Sequence, residues 1–251
     1  MIITENLSKT FYDRKKGEIR AVMPTTLEIN KGEIFGLLGP NGAGKTTFLR
    51  MLATVITPTA GSAMINGYHL QDQSEEIKKI IGFISGDTKL YGRLTPKELL
   101  YYFGELYDMS QKQIESRCEA VFKMLDMSGF INQRIESLST GQTQKTSIAR
   151  CILHDPPIFI MDEPTLGLDV LTSRTILQFI QNAAQEGKTI ILSTHYMQEA
   201  ELLCQRIGFL HLGKILAIDT LKGFQQKCNK NHLAEIFLDY VAQQEDDVHE
   251  V

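Results

Sequence analysis

One glycine-rich segment constrains this chain more than any other. Gly39-Pro40-Asn41-Gly42-Ala43-Gly44-Lys45-Thr46 fits the pattern G-x-x-x-x-G-K-[ST]. Before it, Glu33-Ile34-Phe35-Gly36-Leu37-Leu38 is a short apolar run, readable as a buried strand, and after it Thr47-Phe48-Leu49-Arg50-Met51-Leu52 reads as a helix. Strand, glycine loop and helix in that order form a phosphate cradle. The glycines let backbone N–H groups turn toward phosphate oxygens, and the helix N-terminus adds the positive end of its dipole. Lys45 is expected to reach the β- and γ-phosphates, and Thr46 to offer its hydroxyl to Mg²⁺. A glycine turn before an ordinary helix is the plain alternative, and the flanking strand and helix weigh against it.

The chain of 251 residues is long enough for one large α/β domain or two small ones, and at 43% hydrophobic residues it can build a sizeable core. A net charge of −4 gives no global reason to expect nucleic-acid binding. No apolar run approaches the length of a membrane-spanning helix. Met1-Ile2-Ile3-Thr4-Glu5-Asn6 lacks the basic start and long apolar stretch of a signal peptide. Cys118, Cys151, Cys204 and Cys228 form no C-x-x-C pair and read as buried or incidental thiols of a reducing compartment.

Patterning divides the chain into three stretches. The first is strand-rich: Ile2 to Leu7, Thr26 to Ile29, Ser62 to Ile65 and Ile80 to Ile84, with turns at Asn30-Lys31-Gly32 and Thr57-Pro58-Thr59-Ala60-Gly61. In the second, Thr95-Pro96-Lys97-Glu98 has the form of a helix start, with Thr95 as cap, Pro96 in the first turn and Glu98 completing a capping box. Helices are expected over Pro96 to Tyr107 and Gln111 to Leu125. The third alternates: strands at Ile158 to Met161, Thr189 to Leu192 and Ile207 to Leu212, helices at Val170 to Gln185 and Tyr196 to Cys204. Such alternation predicts a mainly parallel sheet wrapped by helices. Leu233 to Leu238 reads as a terminal helix, followed by a frayed acidic tail at Glu245-Asp246-Asp247-Val248-His249-Glu250.

Asp162 and Glu163 close the apolar run Ile158-Phe159-Ile160-Met161 and precede Pro164. Carboxylates at the carboxyl end of a parallel strand face the ligand crevice. Asp162 is expected to hold Mg²⁺, directly or through water, and Glu163 to act as general base on the attacking water. Leu138-Ser139-Thr140-Gly141-Gln142 places a Ser and a Gly just before a helix, an anion site made of hydroxyl, N–H and dipole. Ser193-Thr194-His195 follows a further apolar run.

In this order the motifs resemble the ATP-binding subunit of an ABC transporter. Leu138-Ser139-Thr140-Gly141-Gln142 is similar to the family signature, usually Leu-Ser-Gly-Gly-Gln, and Lys145 to Arg150 fit the helix that follows it. The resemblance implies an ABC ATPase: an α/β P-loop NTPase core with a mainly parallel sheet, an N-terminal antiparallel β part and an inserted helical subdomain. It further implies that ATP is held by Gly39, Pro40, Asn41, Gly42, Ala43, Gly44, Lys45, Thr46 and Thr47, and Mg²⁺ by Thr46 and Asp162. Glu163 and His195 match the family's catalytic base and its γ-phosphate switch. Ser139, Thr140, Gly141 and Gln142 would complete the ATP site of the opposite subunit, which implies a head-to-tail dimer with a second copy. Gly167-Leu168-Asp169 matches the loop that crosses the dimer interface. Phe11 stands where the family places an aromatic on adenine, with Tyr12 as the alternative and a core aromatic as the plain reading.

One position departs. The family usually has a Gln soon after the strand that Ile80 to Ile84 matches, and Gly86 occupies that place here. Asp87 or a water would have to stand in, so Asp87→Ala is expected to slow hydrolysis more than it weakens ATP binding. The likeness covers roughly residues 2 to 220, giving an ATP-binding domain over 1–220, a helical subdomain at about 87–150 and a C-terminal extension over 221–251. Gly86 to Thr95, Thr140, His154-Asp155-Pro156-Pro157 and Gly167 to Val170 look like the ATPases of sodium-efflux exporters of the NatA type. The implied partner is an integral membrane permease on a separate chain, and the implied location is the cytoplasmic face of the cell membrane. A non-transport ABC ATPase acting on ribosomes or nucleic acid is the alternative. One cassette, no sustained heptad run and the acidic balance speak against it, and no nucleic acid is expected as partner.

Overall fold

The computed structural model of the protein describes residues 1–15, 17–86 and 89–249. Its first half opens with a long antiparallel hairpin, β1 (Ile2–Asp13) and β2 (Gly17–Ile29), where the sequence shows only two short strands. Polar residues interrupt the apolar alternation of both strands, but backbone pairing runs on from Ile2↔Ile29 to Asp13↔Gly17, with register shifts on the way. Then come β3 (Ile34–Leu38), α1 (Lys45–Leu52), β4 (Ala60–Ile65), β5 (Tyr68–His69), α2 (Ser74–Ile80) and β6 (Ile81–Ile84). α2 has no apolar stripe to announce it, because Ile77 alone is buried among Glu75, Glu76, Lys78 and Lys79. Ile80, expected in the strand, ends this helix instead.

A helical block follows: α3 (Pro96–Leu106), α4 (Gln111–Met124) and α5 (Thr140–Ile152). The Thr95 capping box is present, with the Glu98 N–H on Thr95 Oγ1 at 3.2 Å and the Thr95 N–H on Glu98 Oε2 at 2.8 Å. Gly104 lets α3 and α4 close up, since a Cβ there would stand 2.5 Å from Ile114. The chain then alternates through β7 (Ile158–Asp162), α6 (Val170–Gln185), β8 (Thr189–Thr194), α7 (Met197–Leu203) and β9 (Arg206–His211). β10 (Lys214–Asp219), α8 (Leu221–Cys228) and α9 (Leu233–His249) complete it. Helical backbone thus continues through His249, where a frayed tail is expected, and Glu250 lies outside the described residues.

Two sheets result. One is antiparallel, in the order β2-β1-β4-β5, and the other runs β10-β9-β3-β8-β7-β6. In the second, β9, β3, β8, β7 and β6 are parallel and β10 pairs antiparallel at the edge. Every residue of β3, β7 and β8 is buried. That is why these strands read as unbroken apolar runs rather than alternating ones.

Alternate side chains still serve different layers. Phe35, Leu37, Ile158, Ile160 and Ile191 join α1 and the antiparallel sheet in one core, while Ile34, Phe159, Met161, Ile190 and Leu192 join α6 and the helical block in another. A third, aromatic core gathers Phe209, Phe224 and Phe237 beneath α8 and α9, with the Phe209 and Phe224 rings stacked at 4.5 Å. The four cysteines are free thiols, with Cys118 and Cys151 buried.

Candidate active site

The carboxyl ends of β3, β7 and β8 lie side by side, because Leu38 pairs with Thr194 and Asp162 pairs with Ser193. The glycine loop, the Asp162-Glu163 pair and His195 follow those three strands and therefore share one crevice, as expected for a parallel sheet.

Gly44 adopts φ 106°, and a Cβ there would stand 2.3 Å from the Ala21 carbonyl oxygen. The loop thus needs glycine both for its left-handed backbone and for its approach to β2. Leu210 and Gly213 brace it from β9 and the following turn. A Cβ on Gly39 would meet the Leu210 carbonyl oxygen, and the Gly213 N–H bonds the Ala43 carbonyl at 2.8 Å. α1 starts at Lys45 with no side chain capping its N–H groups. An uncapped helix start beside a buried lysine suits a phosphate.

Lys45 is 4% exposed, and its ammonium donates to Gly39 O at 2.6 Å and Pro40 O at 3.1 Å. Its third neighbour is Glu163 Oε1 at 3.3 Å, while Glu163 Oε2 lies 3.1 Å from His195 Nδ1. One carboxylate therefore links the P-loop lysine to the residue after β8. With the carboxylate as acceptor, the His195 proton sits on Nδ1. Glu163 holds a left-handed φ of 50°. For a residue with a side chain this costs about 1–2 kcal/mol. Its N–H compensates by bonding the carbonyl and hydroxyl of Ser193, each at 3.1 Å.

The Ser193 hydroxyl in turn donates to Asp162 Oδ1 at 2.5 Å, which orients a carboxylate that is almost fully buried. α1, carrying Thr46 and Thr47 in its first turn, packs against β7. Thr46 and Asp162 are the oxygen donors here that could hold a metal. No cluster of three or more His, Cys, Asp or Glu side chains suited to a metal occurs among the described residues. This donor set fits Mg²⁺, which takes few protein ligands and completes its shell with phosphate oxygens and water.

The signature segment lies elsewhere. Ser139 caps α5 through a capping box with Gln142, whose N–H reaches Ser139 Oγ at 3.3 Å. Ser139 and Thr140 are exposed. With Gly141, Gln142, Asp126, Gly129, Phe130, Lys145 and Thr172, Ser139 lines a cavity of about 320 Å³. Gly141 leaves no room for a Cβ, which would come 2.9 Å from Thr172 Oγ1. Asp169 caps α6, accepting from the Leu171 and Thr172 N–H groups at 3.0 Å each. The Thr172 N–H and hydroxyl hold the Asp169 carboxyl below its usual range.

Phe11 sits on β1 opposite Ile19, is 42% exposed, and has Lys9 Nζ 5.1 Å from its ring centre. Ala21, two residues beyond Ile19, is the β2 residue that touches Gly44, so the hairpin carries Phe11 toward the loop. Tyr12 is the more exposed of the two aromatics. Gly86 lies in the turn after β6, and a Cβ there would meet no heavy atom of the described residues within 4 Å. Asp87, offered as a stand-in for the family's Gln, lies outside the described residues.

Ser193, Thr165, Thr194 and Glu199 make contacts to which the sequence reading assigned no role. Glu199 accepts from Thr165 Oγ1 at 2.7 and 2.9 Å and from Thr194 Oγ1 at 3.2 Å. Ser193 and Thr194 stand beside His195 in the sequence, which was the available signal. Nothing local marks Glu199.

Known proteins resemble the chain throughout. A family model described as ABC transporter matches residues 22–166. The ABC transporter ATP-binding protein NatA of Bacillus subtilis (strain 168) is 40% identical over 239 residues, 95% of this chain and 97% of that protein. A solved ATP binding subunit of an ABC transporter superposes with TM-score 0.86 at 28% identity, covering 96% of this chain and 99% of that one. The ATP-binding cassette MJ0796, solved as a dimer in a post-hydrolysis state bound to ADP and Pi, superposes with TM-score 0.80 at 30% identity over 88% of this chain and 98% of that one. No helix among the described residues is long and apolar enough to cross a membrane.

Proposed function

Because the chain belongs to the ABC transporter family, as its ATP-hydrolysing subunit, we propose that it energises a separate membrane permease by closing and reopening a dimer around ATP. The observation that carries this reading is the Glu163 carboxylate, shared between Lys45 and His195 at the mouth of an uncapped glycine-loop helix.

In this reading the loop from Gly39 to Thr47 wraps the triphosphate, Lys45 binds its β- and γ-oxygens, and Phe11 stacks on the adenine. Glu163 takes a proton from the attacking water and His195 contacts the γ-phosphate. Thr46 and Asp162 hold Mg²⁺, whose charge offsets that of the phosphates. The exposed start of α5, from Ser139 to Gln142, is the face offered to ATP on a second copy, and Asp169 stands at that interface. Supporting this, the signature lines a cavity of its own, and the similar cassette MJ0796 is a dimer.

The ATP-binding domain spans residues 1–220, with the helical subdomain at about 87–150 passing motion to the permease, and residues 221–251 form the extension. The place of work is the cytoplasmic face of the cell membrane. The direction is export, and sodium is the substrate class suggested by the local features around Gly86, Thr140, His154 and Gly167. Affinity purification from membranes of the native host tests the reading. A stoichiometric multi-span membrane protein is the expected companion, and ribosomal proteins or nucleic acid without one would overturn the transport role.

A further inference from the structure

We propose that Glu199 is a positioning residue for hydrolysis: its carboxylate ties the turn after Glu163 to the end of β8, and so holds Glu163 and His195 in register with each other. The proposal rests on the reading of those two residues given above.

Glu199 lies in the first turn of α7, four residues past His195. A carboxylate there interacts favourably with the helix N-terminus. This one also accepts from two buried hydroxyls, one in the turn after β7 and one at the end of β8. Thr165, 3% exposed as a residue, has its Oγ1 2.7 and 2.9 Å from the two oxygens, and Thr194, 1% exposed, has its Oγ1 3.2 Å away.

Each hydroxyl controls one side of the crevice. Thr165 is in the turn where the Leu166 N–H bonds the Glu163 carbonyl and the Leu168 N–H bonds the Thr165 carbonyl, both at 3.2 Å. Asp169, the cap of α6, follows that turn by two residues. Thr194 Oγ1 also accepts the Tyr196 N–H at 2.9 Å, so it spans His195 from both sides. A single carboxylate has enough lone pairs to hold both hydroxyls at once, and charge-assisted bonds of this kind are the strong ones. α7 is itself anchored, because Glu201 Oε1 accepts the Leu233 N–H at the start of α9 at 2.9 Å.

The hydrogen bonds of Glu199 go to Thr165 and Thr194 and not to Lys45 or the glycine loop, so its loss should misplace the base without weakening nucleotide binding. A misplacement near 1 Å can cost about a hundredfold in rate. For Glu199→Ala in the full-length protein, we expect kcat for ATP hydrolysis to fall at least about tenfold while KM and the directly measured ATP affinity stay within about twofold. Thr165→Val should reproduce that split, the double variant should be no slower than Glu199→Ala alone, and Thr165→Ser should restore the wild-type rate. A folded Glu199→Ala variant with wild-type kcat overturns the proposal. So does a parallel loss of kcat, ATP affinity and melting temperature with Thr165→Val silent, the pattern of a merely structural contact.

If Glu199→Ala does not fold, Glu199→Gln decides. It keeps the shape and one acceptor oxygen, and a reduced kcat at unchanged affinity is expected, whereas full kcat overturns the idea. Wild type and Glu163→Gln belong in the same assay. An inactive wild type removes the underlying reading and this proposal with it. A dead Glu163→Gln beside a fully active Glu199→Ala removes only the proposal.

Discussion

Lys45, in the loop and helix after β3, and Glu163, just after β7, form a contact of 3.3 Å between side chains 4% and 14% exposed. Gly39 O, Pro40 O and Glu163 Oε1 together match the three N–H groups of the lysine. The same carboxylate holds His195 at its other oxygen. A charge placed this way can be shared or handed over, and its removal should affect chemistry and binding differently.

Glu163→Gln keeps the shape of the side chain and removes its basicity. Hydrolysis should fall by about 10²–10⁴-fold, the usual contribution of a positioned general base. ATP should still bind, and the variant should accumulate as an ATP-bound dimer. Light scattering behind size-exclusion chromatography, with saturating ATP and Mg²⁺, reads this out. A variant that stays monomeric would refute the sandwich mechanism for the isolated protein.

Ser139 has two separable roles. As the cap of α5 it is replaceable by Asp, which caps helices about as well. As a contact to a partner's triphosphate it is not, because a carboxylate would face phosphate charge. Ser139→Asp should melt within a few degrees of wild type and bind ATP normally, yet lose most ATPase activity. Wild-type turnover would show that the α5 start faces no anion.

Gly44→Ala places a Cβ 2.3 Å from the Ala21 carbonyl at φ 106°. The left-handed backbone alone costs about 1–2 kcal/mol, and the clash adds to it. We expect a melting temperature lowered by several degrees together with a loop that no longer wraps phosphate. Gly86→Ala, where a Cβ meets no heavy atom of the described residues within 4 Å, is the matched control and should leave the melt unchanged.

His154 provides a test in pH. Burial is the main cause that pushes its imidazole from an ordinary 6.5 down to about 4. Its ring stacks on Tyr107 at 3.8 Å, and its Nε2 meets the Ile81 carbonyl at 3.1 Å, which puts the proton on that nitrogen. The folded protein therefore holds His154 neutral while the unfolded chain takes up a proton near 6.5. Its contribution is complete above that value and is lost as pH falls from about 6.5 toward about 4, on the order of 3 kcal/mol at most. Asp155 and Glu98 are held below the usual carboxylate range, so their contributions disappear only at lower pH. Denaturant midpoints between pH 7 and 5 should fall for wild type and stay flatter for His154→Gln.

The phosphate-binding loop was legible because its demands are local. A left-handed glycine, a lysine and a helix start must be neighbours in the chain, so Gly44, Lys45 and α1 are visible as a pattern. The apolar runs of β3, β7 and β8 were legible for a related reason, since burial on both faces removes polar positions. The capping boxes at Thr95 and Ser139 are four-residue devices and equally readable. α2, with one buried residue, and the long polar arms of β1 and β2 left no such pattern.

By itself, then, the sequence determined the family, through the order of its motifs, and the residue types at the crevice, because each motif is specified within a few consecutive positions. Which strands lie side by side is a property of the folded sheet. The order β3-β8-β7, which the chain order does not reveal, brings Lys45, Glu163 and His195 to one point. The same packing turns Ser193 toward Asp162 and sets Glu199 between Thr165 and Thr194. Apart from Thr194–Glu199, those contacts join residues far apart in the chain, and the free energy that makes them comes from burying the layers above and below the sheet.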